Sequence, residues 1–346
     1  MMWSHPDFDD HEAVHFFTDP ASGLRAIIAI HSTHRGPSSG GVRFWHYARE
    51  ADALTDALRL SRGMSYKNAM AGLPVGGGKG VILSDGSPKT QAQLLAFGAA
   101  IESVGGRYVT AEDVGMSEAD MTTIAQATRH VSGLPVAAGK AGGDPGPVTA
   151  LGVYLGIKAA VAEGLGRDDL SGVHIAIQGV GSVGGGTARR LAADGARLTL
   201  ADANGDKAQA LAQELGARAV GADEIMTVAA DVFSPNALGA ILNEQSIPHL
   251  AAGIVAGGAN NQLATPADAQ RLQARGVLYA PDYVINAGGI INVATEYFGL
   301  GDRADVEARV SEIPARLHAI WAESKASGVP AADVADAMAR ALIGRG

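Results

Sequence analysis

The sequence predicts a two-domain α/β protein whose second domain is a doubly wound, largely parallel sheet. Three observations carry this. The length of 346 residues suits about two domains. The segment 139–147 (GKAGGDPGP) is the densest Gly/Pro stretch and reads as a hinge. Beyond it, strand-like apolar runs alternate with helix-period segments, the pattern of a parallel sheet with right-handed crossovers. The expected division is 1–142 with 322–346 for a substrate-binding and catalytic domain, and 143–321 for a nucleotide-binding domain.

Taken in order, the apolar run 24–30 reads as a strand and 36–41 (GPSSGG) as a turn. Ala53, Ala57, Leu60, Met64, Lys67 and Ala71 recur at helical spacing, which places Lys67 on an apolar stripe. A strand through 80–83, a helix near 90–104 and a strand at 107–111 follow; the last delivers Glu112 and Asp113 at its carboxyl end. After the hinge, 173–178 is a buried-type strand running into Gly179-Val180-Gly181-Ser182-Val183-Gly184 and a helix. A strand at 197–202, a helix near 206–215 and short strands at 231–233, 253–256 and 277–280 complete the alternation. A long final helix, about 304–324, is expected to lead back toward the first domain. No internal repeat is visible.

Composition narrows the function classes. Lys and Arg number 27 against 36 Asp and Glu, a net charge of −9 without a basic cluster, which argues against nucleic acid or an anionic membrane as partner. There is no cysteine, which removes disulfides, thiolate metal sites and cysteine nucleophiles together. The ten histidines show no metal-ligand spacing, so no metal is expected. The start lacks a basic region followed by an apolar one, and no uninterrupted apolar run of about 18 residues stands out. A soluble, cytoplasmic protein is expected.

The chemistry concentrates between two lysines. Lys67 and Lys79 bracket a run ending Gly76-Gly77-Gly78-Lys79, where missing Cβ atoms let backbone, or a ligand, approach closely. A lysine there becomes desolvated, which lowers its pKa and suits it to acid–base work or carbonyl activation. A second, inward cation implies an anionic substrate. Taken alone, Lys79 also reads as a surface loop lysine, Asp113 as a turn or cap aspartate, and Lys67 as a side chain reaching off its helix to water. The second domain carries a GxGxxG turn between strand and helix, with Asp202 18 residues after Gly184. Such a turn receives a pyrophosphate at the helix N-terminus, and the acid accepts the ribose hydroxyls while repelling a 2′-phosphate. Neither Ala203 nor Asn204 offers a compensating cation, so NAD is expected over NADP. Asn260-Asn261 and Asn286 are candidates to line the cofactor cleft; singly, such positions are more often turns.

These stretches resemble the amino-acid dehydrogenases acting on glutamate, leucine, valine and phenylalanine, the leucine branch nearest and the phenylalanine branch next. The resemblance spans almost the whole chain through 22–31 (SGLRAIIAIH), 63–68 (GMSYKN), 73–79 (LPVGGGK), 110–115 (TAEDVG), 147–150 (PVTA), 256–262 (AGGANNQ) and 280–289 (APDYVINAGG). It implies a Rossmann-type nucleotide domain and oxidative deamination of an L-amino acid to its 2-oxo acid and ammonia. In that family the positions of Lys67, Lys79 and Asp113 bind the α-carboxylate, polarise the carbonyl oxygen while activating water, and exchange protons, respectively. Met64, Gly40 and Gly41 fall at substrate-binding positions, and Thr149, Ala237 and Asn261 near nicotinamide and substrate. The family also closes its two domains over the substrate.

The departures concern the side-chain pocket. Glutamate enzymes carry a lysine directly before the Gly-Gly pair and a hydroxyl deeper in the chain; here those places hold Ser39 and Val293. A buried γ-carboxylate without its cation is costly, so the resemblance implies an apolar side chain. Leucine enzymes carry a leucine at the Ser39 position and phenylalanine enzymes a small residue, which implies a roomy pocket lined by Ser39, Ala111, Ile290 and Val293. Met116 replaces a threonine that often follows the Asp-Val-Gly motif. The chain ends sooner after its final helix than typical leucine enzymes, so a symmetric homodimer is the minimal assembly expected. Two other readings remain open: a dehydrogenase of 2-hydroxy acids, and an NAD-binding regulator without catalysis.

Overall fold

Strand propensity and glycine placement build the first of two units in the computed structural model, which describes residues 2–137 and 139–346. Met1, the first residue of the segment searched for a leader, lies outside the described residues. Unit 1 comprises Met1–Asp144, Ile290–Val306 and Met338–Gly346; unit 2 comprises Pro145–Gly289 and Glu307–Ala337. The boundary at Asp144 and Pro145 falls inside the Gly/Pro stretch. The later returns differ from the expected division, because 290–306 joins unit 1 and 307–337 stays with unit 2.

Unit 1 carries a six-stranded sheet of strands β1 (Ala13–Asp19), β2 (Leu24–Ser32), β3 (Ser38–Ser39), β4 (Val42–Trp45), β5 (Gly76–Leu83) and β6 (Tyr108–Val109). Its order is β1-β2-β5-β3-β6, with β4 also on β5. The first two pairings are antiparallel and the rest parallel. β2 reads as a continuous apolar run because both of its faces are covered. Leu24, Ala26, Ile28 and Ile30 join a core with Phe97, Ile101, Met121 and Ile124, from helices α2 (Gln91–Ser103) and α3 (Glu118–Ile124). Ile27 and Ala29 join Ala53 and Ala57 of helix α1 (Glu50–Met70) on the opposite face. Met116 is buried in the first of these cores, which accounts for its apolar side chain.

Two expectations change here. The Gly76–Lys79 run is not a loop but the start of β5, so the loop-lysine reading of Lys79 is overturned. Its glycines admit the protein's own backbone: a Cβ on Gly77 would lie 2.0 Å from the Ser65 amide nitrogen of α1, and one on Gly76 1.8 Å from the Ser32 carbonyl oxygen. Helix α1 therefore sits directly on the strand. The fully buried line of α1 runs through Ala53, Ala57, Ser61, Ser65 and Asn68, which leaves Leu60, Met64 and Lys67 half-buried at its border.

Unit 2 is the doubly wound sheet. Strands β7 (His174–Gln178), β8 (Arg197–Ala201), β9 (Arg218–Ala219), β10 (Val232–Pro235), β11 (Ile254–Val255) and β12 (Leu278–Tyr279) pair in parallel. Their order, β12-β11-β10-β7-β8-β9, reverses between β7 and β10. In such sheets ligands bind at that reversal, beyond the carboxyl ends of the strands. Helices α4 (Gly146–Leu165), α5 (Ser182–Ala193), α6 (Gly205–Leu215), α7 (Ala267–Ala274) and α8 (Asp282–Ile285) intervene. By length and mean hydropathy (1.4) α4 resembles a membrane-crossing helix, but Lys158 and Glu163 interrupt it, in keeping with the sequence reading that no apolar run of that length is uninterrupted. Half of that window is buried inside unit 2, where α4 packs on α5.

Helix α9 (Gly288–Tyr297) takes the chain across the unit boundary. The single helix expected at 304–324 is two, α10 (Arg303–Val310) and α11 (Ile313–Ser327). Pro314 stands in the first turn of α11, where its missing N–H costs nothing, and it cannot continue an incoming helix. Ile313 and Leu317 pack on α4 and α8 through the space left by Gly152 and Gly156, which keeps α11 in unit 2. Only after Ala337, within α12 (Ala331–Leu342), does the chain return to unit 1.

Candidate active site

Lys79 enters the site because β5 is pinned on both sides. Its backbone pairs with Ala29 of β2, and the neighbouring Gly80 N–H donates to the Gly41 carbonyl oxygen at 3.3 Å. The segment 39–42 is threaded between β5 and the chain leaving β6. Gly40 N–H donates to Val109 O at 3.2 Å, and Val42 N–H to Ala111 O at 2.8 Å. Neither glycine has room for a side chain: a Cβ on Gly40 would lie 1.9 Å from Gly78 O and 3.0 Å from Met64 Cγ, and one on Gly41 2.8 Å from Asp113 Cβ. The fold thus brings Ser39, Gly40, Gly41, Met64, Lys79, Ala111 and Asp113 into one neighbourhood of unit 1.

At its centre Lys79 Nζ donates to Asp113 Oδ2. Lys79 is only 4% exposed, while Asp113 keeps an open side. Burial, the largest influence, pulls the lysine pKa below its ordinary value, with the Asp113 carboxylate pulling the other way. Burial alone would raise the Asp113 carboxyl; Lys79 and Arg43 outweigh it and hold the group below its usual range. The two groups titrate as a pair. The turn after Asp113 is closed by Met116 N–H to Asp113 O at 2.9 Å, and Gly115 at φ 79° lies where a Cβ would meet Phe44 O at 2.1 Å. Ser117, not Asp113, caps α3, so the cap reading of Asp113 gives way to the ion pair.

Lys67 lies one turn after Met64 on the same border of α1, in the helix's last turn. The next residue, Asn68, is buried and donates its Nδ2 to Gly76 O at 2.6 Å and Ser39 O at 3.3 Å, tying α1 to the site strands. Ser39 is 4% exposed. Ile290 and Val293, three apart on α9, are also buried. Asn292 exchanges two hydrogen bonds with the Gly142 backbone at 3.0 and 2.9 Å, and Glu296 accepts from the Gly133 and Leu134 amides at 2.9 and 3.1 Å. That docks α9 on a segment whose start, Val131, bridges Thr110 beside Ala111.

In unit 2 the glycine turn has the predicted form. Gly179 takes φ 85°, and a Cβ on Gly184 would lie 1.9 Å from Gly179 O, whereas one on Gly181 would meet nothing within 4 Å. The turn is therefore tight at its ends and open at its middle, as a pyrophosphate requires. Ser182 and Val183 begin α5, and a Cβ on Gly179 would lie 2.8 Å from Ala237 Cβ beyond β10. Asp202 accepts from Val180 N–H at 2.8 Å and Asn204 N–H at 3.0 Å. Burial raises its carboxyl, but these amides and nearby Lys207 hold it below its usual value. Lys207 is the cation that inspection of Ala203 and Asn204 missed.

Asn286, the C-cap of α8, donates Nδ2 to Asn260 Oδ1 at 2.8 Å and Gly258 O at 3.1 Å, and its Oδ1 is buried without a partner among the described residues. An orphaned acceptor joined through Gly258 to Val183 of the glycine turn fits a dinucleotide with an amide donor. Gly258 N–H in turn donates to Asn236 Oδ1 at 2.8 Å, a link not foreseen. Thr149 stands in the first turn of α4 beside Gly288 and Gly289. Asn261 is exposed in the left-handed conformation, φ 52°, and its carbonyl accepts from Ala240 N–H at 2.7 Å.

Sequence reasoning also missed Arg43, which contacts Asp113, and Asp56 and Tyr47, which stand behind it. A lone arginine next to the fully buried Val42 on a short strand was the available signal.

A parallel sheet of this order, with its glycine turn at the switch point, is the architecture of dinucleotide-dependent oxidoreductases, and the buried acid–base pair of unit 1 marks the chain as an enzyme of that class. It belongs to the Glu/Leu/Phe/Val dehydrogenase family. Residues 11–130 match that family's dimerisation domain, and residues 205–341 match the Glutamate/Leucine/Phenylalanine/Valine dehydrogenase domain. The chain is 47% identical to the leucine dehydrogenase of Geobacillus stearothermophilus, over 96% of this chain and 91% of that protein. It is 45% identical to the valine dehydrogenase of Streptomyces albus, over 97% and 93%. Among solved structures it is similar to L-tryptophan dehydrogenase from Nostoc punctiforme, with a TM-score of 0.85, 41% identity and 96% of each chain covered.

Proposed function

We propose that this enzyme catalyses reversible oxidative deamination of an apolar L-amino acid, leucine and other branched-chain substrates foremost, to the 2-oxo acid and ammonia. NAD is the hydride acceptor that it takes in preference to NADP. The observation that carries the reading is the buried Lys79–Asp113 pair: a desolvated lysine on a carboxylate can donate to a carbonyl oxygen and shuttle a proton. Lys67 supplies the charge for the substrate α-carboxylate. The leucine and valine dehydrogenases at 45–47% identity support a branched-chain side chain. Ser39, small, buried and uncharged, stands where a cation would be needed for glutamate. Asp202, ionised at the end of β8, supports NAD, and Lys207 softens its repulsion of a 2′-phosphate.

A panel of L-amino acids assayed for NADH and NADPH formation at alkaline pH tests this. Leucine, valine and isoleucine with NAD should lead. Ser39 leaves room for larger side chains, and the similarity to L-tryptophan dehydrogenase agrees, so measurable aromatic activity is expected too. One methylene in an apolar pocket discriminates by only about 1–3 kcal/mol, so activities should overlap. Strong glutamate turnover would refute the pocket reading. NADH oxidation by 2-oxo acids without ammonia would indicate the hydroxy-acid reading, and NAD binding without turnover the regulator reading.

A homodimer or higher homo-oligomer completes the proposal. It is supported by the name of the first matched domain and by β1, an edge strand whose Phe16 is 60% exposed. Light scattering should give an even multiple of the chain mass, reduced by Phe16→Glu; a monomeric wild type would overturn it.

A further inference from the structure

Asp113 does not face Lys79 alone. Arg43 Nε donates to the same oxygen, Oδ2, at 3.3 Å. From its other end Arg43 Nη1 donates to Asp56 Oδ2 of α1 at 2.7 Å, and Asp56 Oδ2 also accepts from Tyr47 OH at 2.5 Å. One guanidinium therefore bridges two carboxylates, on the segment after β6 and on α1. Its own strand, β4, is hydrogen-bonded to the strand that carries Lys79. All five of these side chains are partly or fully shielded from water, where charge-assisted contacts are stronger than at an open surface. The planar fork of arginine suits two acceptors at a fixed angle; a lysine ammonium is a point charge on a flexible stem.

Resting on the function proposed above, we propose that Arg43 is a positioning residue for the Lys79–Asp113 pair. By gripping Asp56 with one end, it holds Asp113 Oδ2 against Lys79 Nζ with the other, and its charge belongs to the electrostatic setting in which the pair exchanges a proton. Arg43 need not touch the substrate; it fixes the rotation of the Asp113 carboxylate. Among the described residues, the titratable and charged groups that act on the pair are Arg43 on β4, Asp56 on α1 and Tyr108 on β6, with Tyr47 hydrogen-bonded behind Asp56. β2 offers Ala29 opposite Lys79. Arg43 lowers both Lys79 and Asp113, whereas Asp56 raises Lys79. Removing the arginine charge thus lets both groups keep their protons to higher pH, and the rising limb of kcat/KM for deamination moves up.

The test is the pH profile of leucine deamination by wild type, Arg43→Gln and Arg43→Lys, each with its thermal unfolding measured. Arg43→Gln should displace the rising limb to higher pH, which at a fixed pH on that limb reads as roughly a tenfold loss in kcat/KM. Arg43→Lys keeps the charge but not the fork. Its limb should stay in place, while kcat falls by about 3- to 10-fold and KM values for NAD and amino acid stay near wild type. A folded Arg43→Gln enzyme with an unmoved limb would overturn the electrostatic part. If that variant does not fold, Arg43→Lys decides, and wild-type kcat in it overturns the proposal. An inactive wild type would instead refute the proposed function.

Discussion

Replacing Lys79 by alanine should abolish useful turnover, lowering kcat by roughly 10²–10⁴-fold, while NAD affinity changes little. Three things set the size of the effect. The lysine is almost wholly buried, so bulk water does not replace its desolvated ammonium as a donor. Its removal also leaves Asp113 without the group that most lowers its carboxyl, so the proton carrier loses its tuning together with its partner. The glycine turn and Asp202, which hold the dinucleotide in this proposal, are hydrogen-bonded within unit 2 and owe nothing to Lys79. Stopped-flow or steady-state NADH formation gives kcat, and quenching of protein fluorescence by NADH gives the cofactor affinity. Wild-type kcat would refute the catalytic role; equal losses in kcat and NADH affinity would point to misfolding.

Lys67→Ala should act on the other parameter, raising KM for the amino acid by about 10- to 100-fold, the worth of one charge-assisted hydrogen bond. A competing explanation for a lysine here is purely structural. Lys67 occupies the last turn of α1, where a cation complements the helix dipole by some tenths of a kcal/mol. That role predicts slightly lower stability and unchanged kinetics. Normal leucine and phenylalanine KM values in the variant would therefore sink the carboxylate-binding role and leave the dipole as its explanation. The 2-oxo acid should lose affinity in parallel, since it shares the carboxylate.

Much of the candidate site was legible in the linear chain, for local reasons. Gly179, Gly181 and Gly184 must stand at fixed offsets where one strand ends and a helix begins, and Asp202 one strand later, so their spacing is itself the signal. Asp113 could be placed at the end of a strand because five apolar or turn-forming neighbours announce that strand. Lys79 could be singled out and its desolvation expected, but not the element it sits on: three glycines in a row usually mean a loop, and here they are strand residues pressed under a helix. No local pattern distinguishes the two, because the deciding atom is the Ser65 amide, twelve residues before Gly77 and on another element.

Other features depended wholly on distant partners. Arg43 acquires meaning only when β4, α1 and the chain after β6 converge on Asp113, since Asp56 and Asp113 are 13 and 70 residues away from it. The break before α11 was signalled by Pro314, yet its consequence was not: Gly152 and Gly156 on α4 give Ile313 and Leu317 their place and keep 307–337 in unit 2. By itself the sequence determined the fold class, the glycine turn, the acid after β8 and the lysines with their aspartate, because each is set by short-range spacing and side-chain chemistry. Only the tertiary structure decided that the glycine run is a strand, that Lys79 is buried on Asp113, and that Arg43 bridges two carboxylates. Desolvation and charge pairing depend on which distant segments meet, and that is settled when the chain packs.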